Sequence, residues 1–235
     1  MSLLSATLVL DFQTYWHCGT GRGGGVAIDA GVARDQHLLP MVPGRTIKGV
    51  LRDAVRQYEA LGHAQQTTGW TEALFGSWGF EPAGAANATP TPRYATIPGR
   101  LQISSAFMDH DIRNWLQQLA AGGVVQPAGG LAFDPATLIA TLFHGLASTA
   151  IDEEGTARTA SLRNIEVAVP LRMEAEITLA PKNAGHQSLD DGSDVDGLWL
   201  QVLREAAPLI GGIGAGRTRG LGRCHVSLAT QGGGA

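Results

Sequence analysis

The stretch Val169-Pro-Leu-Arg-Met-Glu-Ala-Glu-Ile-Thr-Leu179 decides the fold. Leu171, Met173, Ala175, Ile177 and Leu179 fall on one side of an extended chain, and Arg172, Glu174 and Glu176 on the other. A period of two with one apolar and one charged face marks a half-buried strand, so 169–179 is predicted to lie in an antiparallel sheet. Upstream, Ile151-Asp-Glu-Glu-Gly-Thr-Ala-Arg158 sits inside a polar segment, 149–164, that reads as a hairpin tip between two longer arms. Further back come a predicted helix over 135–146, with Asp134 as N-cap and Pro135 in its first turn, and another over 110–120. The run 100–108 reads as a strand, 83–92 as a loop rich in Ala, Pro, Thr and Gly, and 6–12 as a first strand. Downstream, an acidic loop over 183–197 leads to a helix over 198–209 and a last strand over 223–229.

Between the first two strands, Pro43 precedes a helix predicted from Gly44 to about Leu61. Ile47, Val50, Leu51, Ala54, Val55 and Tyr58 centre on one face, and Arg45, Lys48, Arg52 and Arg56 on nearly the opposite one. The strongest elements therefore run strand, helix, strand, insertion, strand, helix, strand. This is an α+β arrangement, the βαββαβ core of a ferredoxin-like (RRM-like) sheet, whose large insertion forms a thumb-like hairpin and a helical lid. One domain over 1–235 is expected, its core at about 5–61, 100–108 and 169–229 and its insertions at about 62–99 and 109–168.

Composition narrows the class. The chain has 235 residues, 44% hydrophobic and 16% charged, and no apolar stretch of the roughly 18–20 residues that span a bilayer. A soluble protein with no membrane partner follows. The apolar start lacks a basic leader and a small-residue cleavage site, which argues against a signal peptide. Two distant cysteines, Cys18 and Cys224, make neither a disulfide framework nor a metal cluster, so a cytoplasmic location with reduced thiols is expected. The net charge of −4 argues mildly against nucleic acid, yet all the basic residues except Lys48 and Lys182 are arginine, whose planar fork suits phosphate.

Residues 211–222, Gly-Gly-Ile-Gly-Ala-Gly-Arg-Thr-Arg-Gly-Leu-Gly, fail both nucleotide fingerprints. No Gly-Lys-Ser/Thr follows, and Arg219 stands where a dinucleotide loop needs its last glycine. What remains is either a structural turn or a loop whose amides approach an anionic backbone while Arg217, Arg219 and Arg223 neutralise it. Gly44, Arg45 and Thr46 would likewise offer free amides at a helix N-terminus beside Lys48 and Arg52, a site suited to phosphate. The alternative for that helix is a solvated basic face.

The string Val42-Pro-Gly-Arg-Thr-Ile-Lys-Gly-Val-Leu-Arg52 resembles the helix motif of the repeat-associated mysterious protein (RAMP) superfamily, and Gly214-Ala-Gly-Arg-Thr-Arg-Gly-Leu-Gly222 resembles its C-terminal glycine-rich loop. Leu74-Phe-Gly76 with Gly99–Ser104, and Ala150–Ala157 with Leu162–Pro170, fit in the same order. Within the superfamily the pattern is most similar to the backbone subunit of type III CRISPR effector complexes. That resemblance implies a chain that polymerises along a guide RNA, with other copies of itself and other effector subunits as partners. It implies cleavage of complementary target RNA at regular spacing, in a role of antiviral defense.

By the same resemblance Arg45, Thr46, Lys48, Gly49 and Arg52, with Gly214, Gly216, Arg217, Arg219 and Gly220, fall on guide-binding positions. Ile151 and Leu162 would wedge against bases from the thumb, although Asp152, Glu153 and Glu154 crowd its tip. Asp29 matches the loop aspartate that supports metal-dependent cleavage, with a divalent ion such as Mg as cofactor. Asp35 is the nearby competitor, with structural pairing as its expected role. His17 and His37 are acid–base alternatives, with core or surface roles favoured for each. Trp16, Trp70 and Trp78 could stack on bases, but packing is the expected use. Two other readings stay open: an RNA-binding subunit without activity, and a stand-alone endoribonuclease that processes precursor guide RNA.

Overall fold

Ala6, Leu8, Leu10 and Phe12 are buried on one face of β1 (Ser5–Phe12), as their alternation requires. The computed structural model describes residues 5–19, 21, 28–62, 69–76, 98–120, 134–181 and 194–229. β1 is the middle of the main sheet, antiparallel to β6 (Arg172–Leu179) from Ser5↔Thr178 to Asp11↔Arg172, and to β7 (Cys224–Ala229) on its other side. Two short strands, β2 (Leu101–Ile103) and β3 (Phe107–Met108), pair with β6 at its outer edge. The order β2-β6-β1-β7 is that of a ferredoxin-like sheet.

Helices α1 (Gly44–Ala60) and α5 (Val195–Ala206) cover the apolar face. Ile47, Leu51, Ala54, Val55 and Tyr58 of α1 meet Trp199, Leu200 and Leu203 of α5 and the inward side chains of β1 and β6 in one core. Burying these faces is the main stabilising term, at roughly 1.5–3 kcal/mol per large apolar side chain. Tyr58 hydrogen-bonds Glu205 across the two helices, which together with burial pushes the phenol up to about 12. A short helix α2 (Trp70–Phe75) is capped from outside, since Glu59 accepts from the amides of Gly69, Trp70 and Thr71 and from the Thr71 hydroxyl. That satisfies donors a helix start leaves orphaned. The other sheet face carries Asp11, Arg172, Glu174, Glu176 and His225 and presents no Phe, Tyr or Trp on β1, β6 or β7.

Three expectations need correction. The strand expected over 100–108 is broken at Ser104–Ser105, where the Ser104 hydroxyl accepts from the Glu176 amide and Ala106 pairs instead with Val42. The helix expected over 135–146 stops early: α4 (Pro135–Ala140) starts from Asp134, whose carboxylate accepts from Ala136 and Thr137 as anticipated, but Phe143–Ser148 is strand β4. β4 pairs throughout with β5 (Arg163–Ala168), and this ladder outweighs the local helical period. Finally, the strand expected over 169–179 begins only at Arg172, and Val169, Pro170 and Leu171 link β5 of the hairpin to β6 of the sheet. The helical part of the insertion, α3 (His110–Ala120) with α4, packs beside β3. Residues 83–92, Trp78 and most of the acidic loop before Asp194 lie outside the described residues.

Candidate nucleic-acid interface

Four stretches far apart in sequence meet at His17 and Glu166. After β1, Phe12 stacks on Trp16 at 4.6 Å, and Trp16 joins Ala168 of β5 by a reciprocal pair of backbone bonds. The buried His17 ring sets Nδ1 2.6 Å from the Glu166 carbonyl oxygen. The chain then returns as 28–34 along the free edge of β5, where Asp29 N–H donates to the Asn164 carbonyl (2.8 Å) and Glu166 N–H to the Ala30 carbonyl (2.9 Å). The Glu166 carboxylate is buried. Its Oε2 accepts from Val32 N–H at 2.9 Å, and its Oε1 pairs with Arg34 at 2.6 Å. Arg34 in turn lies 3.9 Å over the Phe143 ring. A carboxylate taken out of water needs such partners, and meeting that need ties the 28–34 loop to both arms of the hairpin.

Asp29 stands exposed at this seam. Its Oδ2 accepts from the Asn164 amide at 2.7 Å, and its other oxygen makes no hydrogen bond among the described residues. The Asn164 side chain lies over Gly145 of β4, where a Cβ would come within 3.0 Å of Oδ1. Asp35 has the structural role expected of it. Its carboxylate accepts from the amides of His37 and Leu39 and pairs with Arg113 at 2.9 Å. His37 is at the surface beside Gln36, and Trp16 and Trp70 are buried.

The glycine-rich loop closes over the same node. Ala215 N–H donates to the His17 carbonyl (2.8 Å) and Gly222 N–H to the Tyr15 carbonyl (2.7 Å). Gly214 at φ 100° and Gly222 at φ 69° occupy left-handed backbone, and a Cβ on either would overlap a carbonyl oxygen, of His17 and Ile213 respectively. Only glycine satisfies both demands. Arg217 and Arg219 ride a single 3-10 turn between Gly216 and Gly220, and both are exposed, as is Arg223. Beneath, burial pushes the Cys18 thiol up to about 12, and burial, with Asp11 and Cys18 nearby, does the same for Cys224, so both are inert thiols at neutral pH.

The start of α1 differs from the expectation of free amides. Gly44 N–H donates to the Ser105 hydroxyl and Thr46 N–H to the Pro43 carbonyl, because the helix start is seated against the end of β2. The cations of this helix split into two kinds. Lys48 donates to the Leu101 carbonyl (3.0 Å) and Arg52 to the Gly76 carbonyl (3.0 Å), both half-buried, whereas Arg45 and Arg56 are exposed. Desolvation, then the neighbouring Arg52 charge, lowers the Lys48 pKa. Gly49 is exposed with open space around it.

The hairpin projects beyond this surface. Ile151 and Leu162 are 66% and 72% exposed, so neither serves the core. The acidic tip is partly self-consumed: Asp152 accepts from the amides of Glu154 and Thr156 and from the Thr156 hydroxyl, closing the turn at Gly155. Tyr15 and His144, absent from the sequence-level candidates, meet edge to face at 5.4 Å on the surface near the hairpin base. Arg34, Glu166 and Asn164 were also unmarked, and nothing in their local sequence distinguishes them.

An antiparallel ferredoxin-like sheet, a hairpin inserted between β3 and β6, and a cationic glycine-rich loop strapped to the hairpin base define the class of protein. The chain belongs to the RAMP superfamily, whose family model matches residues 9–225. No curated protein sequence matches it significantly. Among solved structures it is similar to a chain of a type III-B Cmr-beta complex bound to cognate target RNA, at TM-score 0.57 and 9% identity, covering 97% of this chain and 98% of that one. The apo state of Cmr-beta gives 0.56 at 10% identity over 96% and 97%, and a type IV-B CRISPR complex gives 0.52 at 16% identity over 98% and 92%. Among the described residues no helix is long and apolar enough to cross a membrane.

Proposed function

We propose that this RAMP-superfamily chain is an RNA-binding backbone subunit of a CRISPR effector complex, of type III by its motifs. On this reading it assembles on a guide RNA with further copies of itself and other subunits, and cleaves the paired target RNA at Asp29. The observation that carries the reading is the convergence at His17 and Glu166. It places a glycine-rich loop bearing exposed Arg217 and Arg219, the exposed Asp29 carboxylate and the base of a projecting hairpin on one continuous seam. The superfamily membership and the likeness to chains of CRISPR ribonucleoproteins support it.

Chemically, the arginines and glycine-loop amides would hold the backbone phosphates, and the exposed Ile151 and Leu162 would part stacked bases. Asp29 keeps one carboxylate oxygen for a divalent cation while the other anchors the hairpin. No group of three or more metal-ligating side chains occurs among the described residues. A magnesium ion on one carboxylate, completed by water and substrate phosphate, fits such a sparse site, and when bound would supply charge stabilisation for in-line displacement.

Purification with the neighbouring subunits and sequencing of the bound nucleic acid tests the reading, with discrete guide-length RNAs expected. Asp29→Ala should then abolish target cleavage and leave guide binding intact. A second reading, metal-independent RNA processing, is favoured by one feature: the surface Tyr15–His144 pair, two groups capable of proton transfer, linked to the glycine loop through the Tyr15 carbonyl. Cleavage that persists in chelator and is lost in His144→Ala would support it over the first.

A further inference from the structure

On the α1 side of the glycine-rich loop, the helix and the loop line an open cavity of about 350 Å³. That is at the lower end of the roughly 300–1,000 Å³ typical of small-ligand sites. Asp53 and Gln57 stand one turn apart on the helix wall, Arg217 and Thr218 form the opposite wall, and Ile210 with Ala54 gives an apolar floor. Gly212 leaves room for Arg217, whose Cβ would sit 3.4 Å from a Cβ placed there. Asp53 and Arg217 are exposed, and neither makes an ion pair or side-chain hydrogen bond among the described residues.

A carboxylate is a poor lining for a groove that carries phosphates, because like charges repel at close range. It becomes favourable only if it accepts a hydrogen bond from the strand it faces. The sugar–phosphate backbone of RNA has one donor, the 2′-hydroxyl, and that of DNA has none. We propose that Asp53 accepts the 2′-hydroxyl of a nucleotide whose phosphate is held by Arg217 across the cavity, so that this site selects ribose over deoxyribose. The inference rests on the RNA-binding reading and deepens it, assigning to α1 a sugar-reading role that its cations do not have. Gln57, one turn on, supplies a second polar group for the same ribose, and the apolar floor takes the sugar's carbon edge.

The test uses the full chain and a labelled single-stranded oligouridylate, against the same strand with 2′-fluoro in place of every 2′-hydroxyl, which removes the donor. Wild type should prefer the hydroxyl strand by about tenfold, the scale of one hydrogen bond to a charged group. Asp53→Ala, which removes both the charge and the acceptor oxygen, should reduce that ratio to within about twofold of unity, mainly by tightening the 2′-fluoro complex as the carboxylate is removed. Asp111→Asn, which removes the same charge from α3 outside the cavity, should keep the wild-type ratio. A ratio unchanged in Asp53→Ala, or lost equally in Asp111→Asn, overturns the inference and leaves RNA binding standing. Failure of wild type to retain either strand overturns both.

Discussion

Arg34 and Glu166 close to 2.6 Å between the loop that carries Asp29 and the second arm of the hairpin. The side chains are 35% and 10% exposed, so the pair is wet on the arginine side and dry on the carboxylate side. Among the described residues, replacing Arg34 by Met leaves the carboxylate with the Val32 amide as its remaining donor. The expected loss is about 2 kcal/mol, below the ~3–5 kcal/mol of a fully buried pair because water reaches Arg34. Glu166→Gln keeps the shape and removes the charge, and should cost less than Arg34→Met. Urea unfolding of the two variants checks this, and wild-type stability in Arg34→Met would remove the pair as a restraint on Asp29.

The glycine-rich loop separates glycines by what a methyl group would meet. Gly214 and Gly220 both have positive φ, 100° and 88°, yet a Cβ on Gly220 has open space while one on Gly214 overlaps the His17 carbonyl. Gly220→Ala should therefore lose only the backbone preference, about 1 kcal/mol. Gly214→Ala should lose about 3 kcal/mol or more, because the loop must lift from His17. Thermal unfolding midpoints give the ranking, and equal midpoints would mean the loop is not seated on His17.

How far the sequence carried the fold is visible at two places. The core strands and α1 were legible because their periods are local properties of the chain, and burial of Met173, Ala175 and Ile177 follows directly from alternation. Residues 143–146 read as the end of a helix because Leu138, Ile139, Leu142 and Leu146 keep a helical spacing, and only pairing with the 163–168 strand converts that run to strand. Gly145 was the one local warning. At the site, Asp29 became a candidate through family resemblance rather than through its neighbours. Glu166 escaped notice because Asn164-Ile-Glu-Val-Ala168 looks like any strand, and the arginine that explains its burial lies 132 residues away.

Lys48 provides a pH test of the α1 seat. Its pKa in the folded chain is lowered from 10.5, first by desolvation and then by Arg52. The unfolded chain therefore holds this proton to higher pH than the folded one. In the window between the folded value and about 10.5 the unfolded state binds more protons, so stability contributed by this group rises with pH; below the window the charged lysine carries a constant penalty. Lys48→Met lacks the term. The stability of wild type minus that of Lys48→Met should climb as the pH rises toward 10.5, measured by urea unfolding at each pH. A flat difference would mean that Lys48 is as solvated in the folded chain as in the unfolded one.

The same seat predicts which cations face RNA. Arg45, Arg217 and Arg219 are exposed, whereas Lys48 and Arg52 give hydrogen bonds to the Leu101 and Gly76 carbonyls. A cation that neutralises one phosphate of a single strand contributes about 0.7 to the slope of log K against log salt. Arg217→Gln and Arg45→Gln should each flatten that slope by about this amount and leave folding unchanged. Lys48→Gln should weaken binding chiefly by loosening α1 from β2, so its slope stays near that of wild type while its unfolding midpoint falls. Binding isotherms at four salt concentrations, beside an unfolding curve for each variant, distinguish the two classes. A slope lost in Lys48→Gln at an unchanged midpoint would place that ammonium on a phosphate and its bond to Leu101 outside the RNA-bound state.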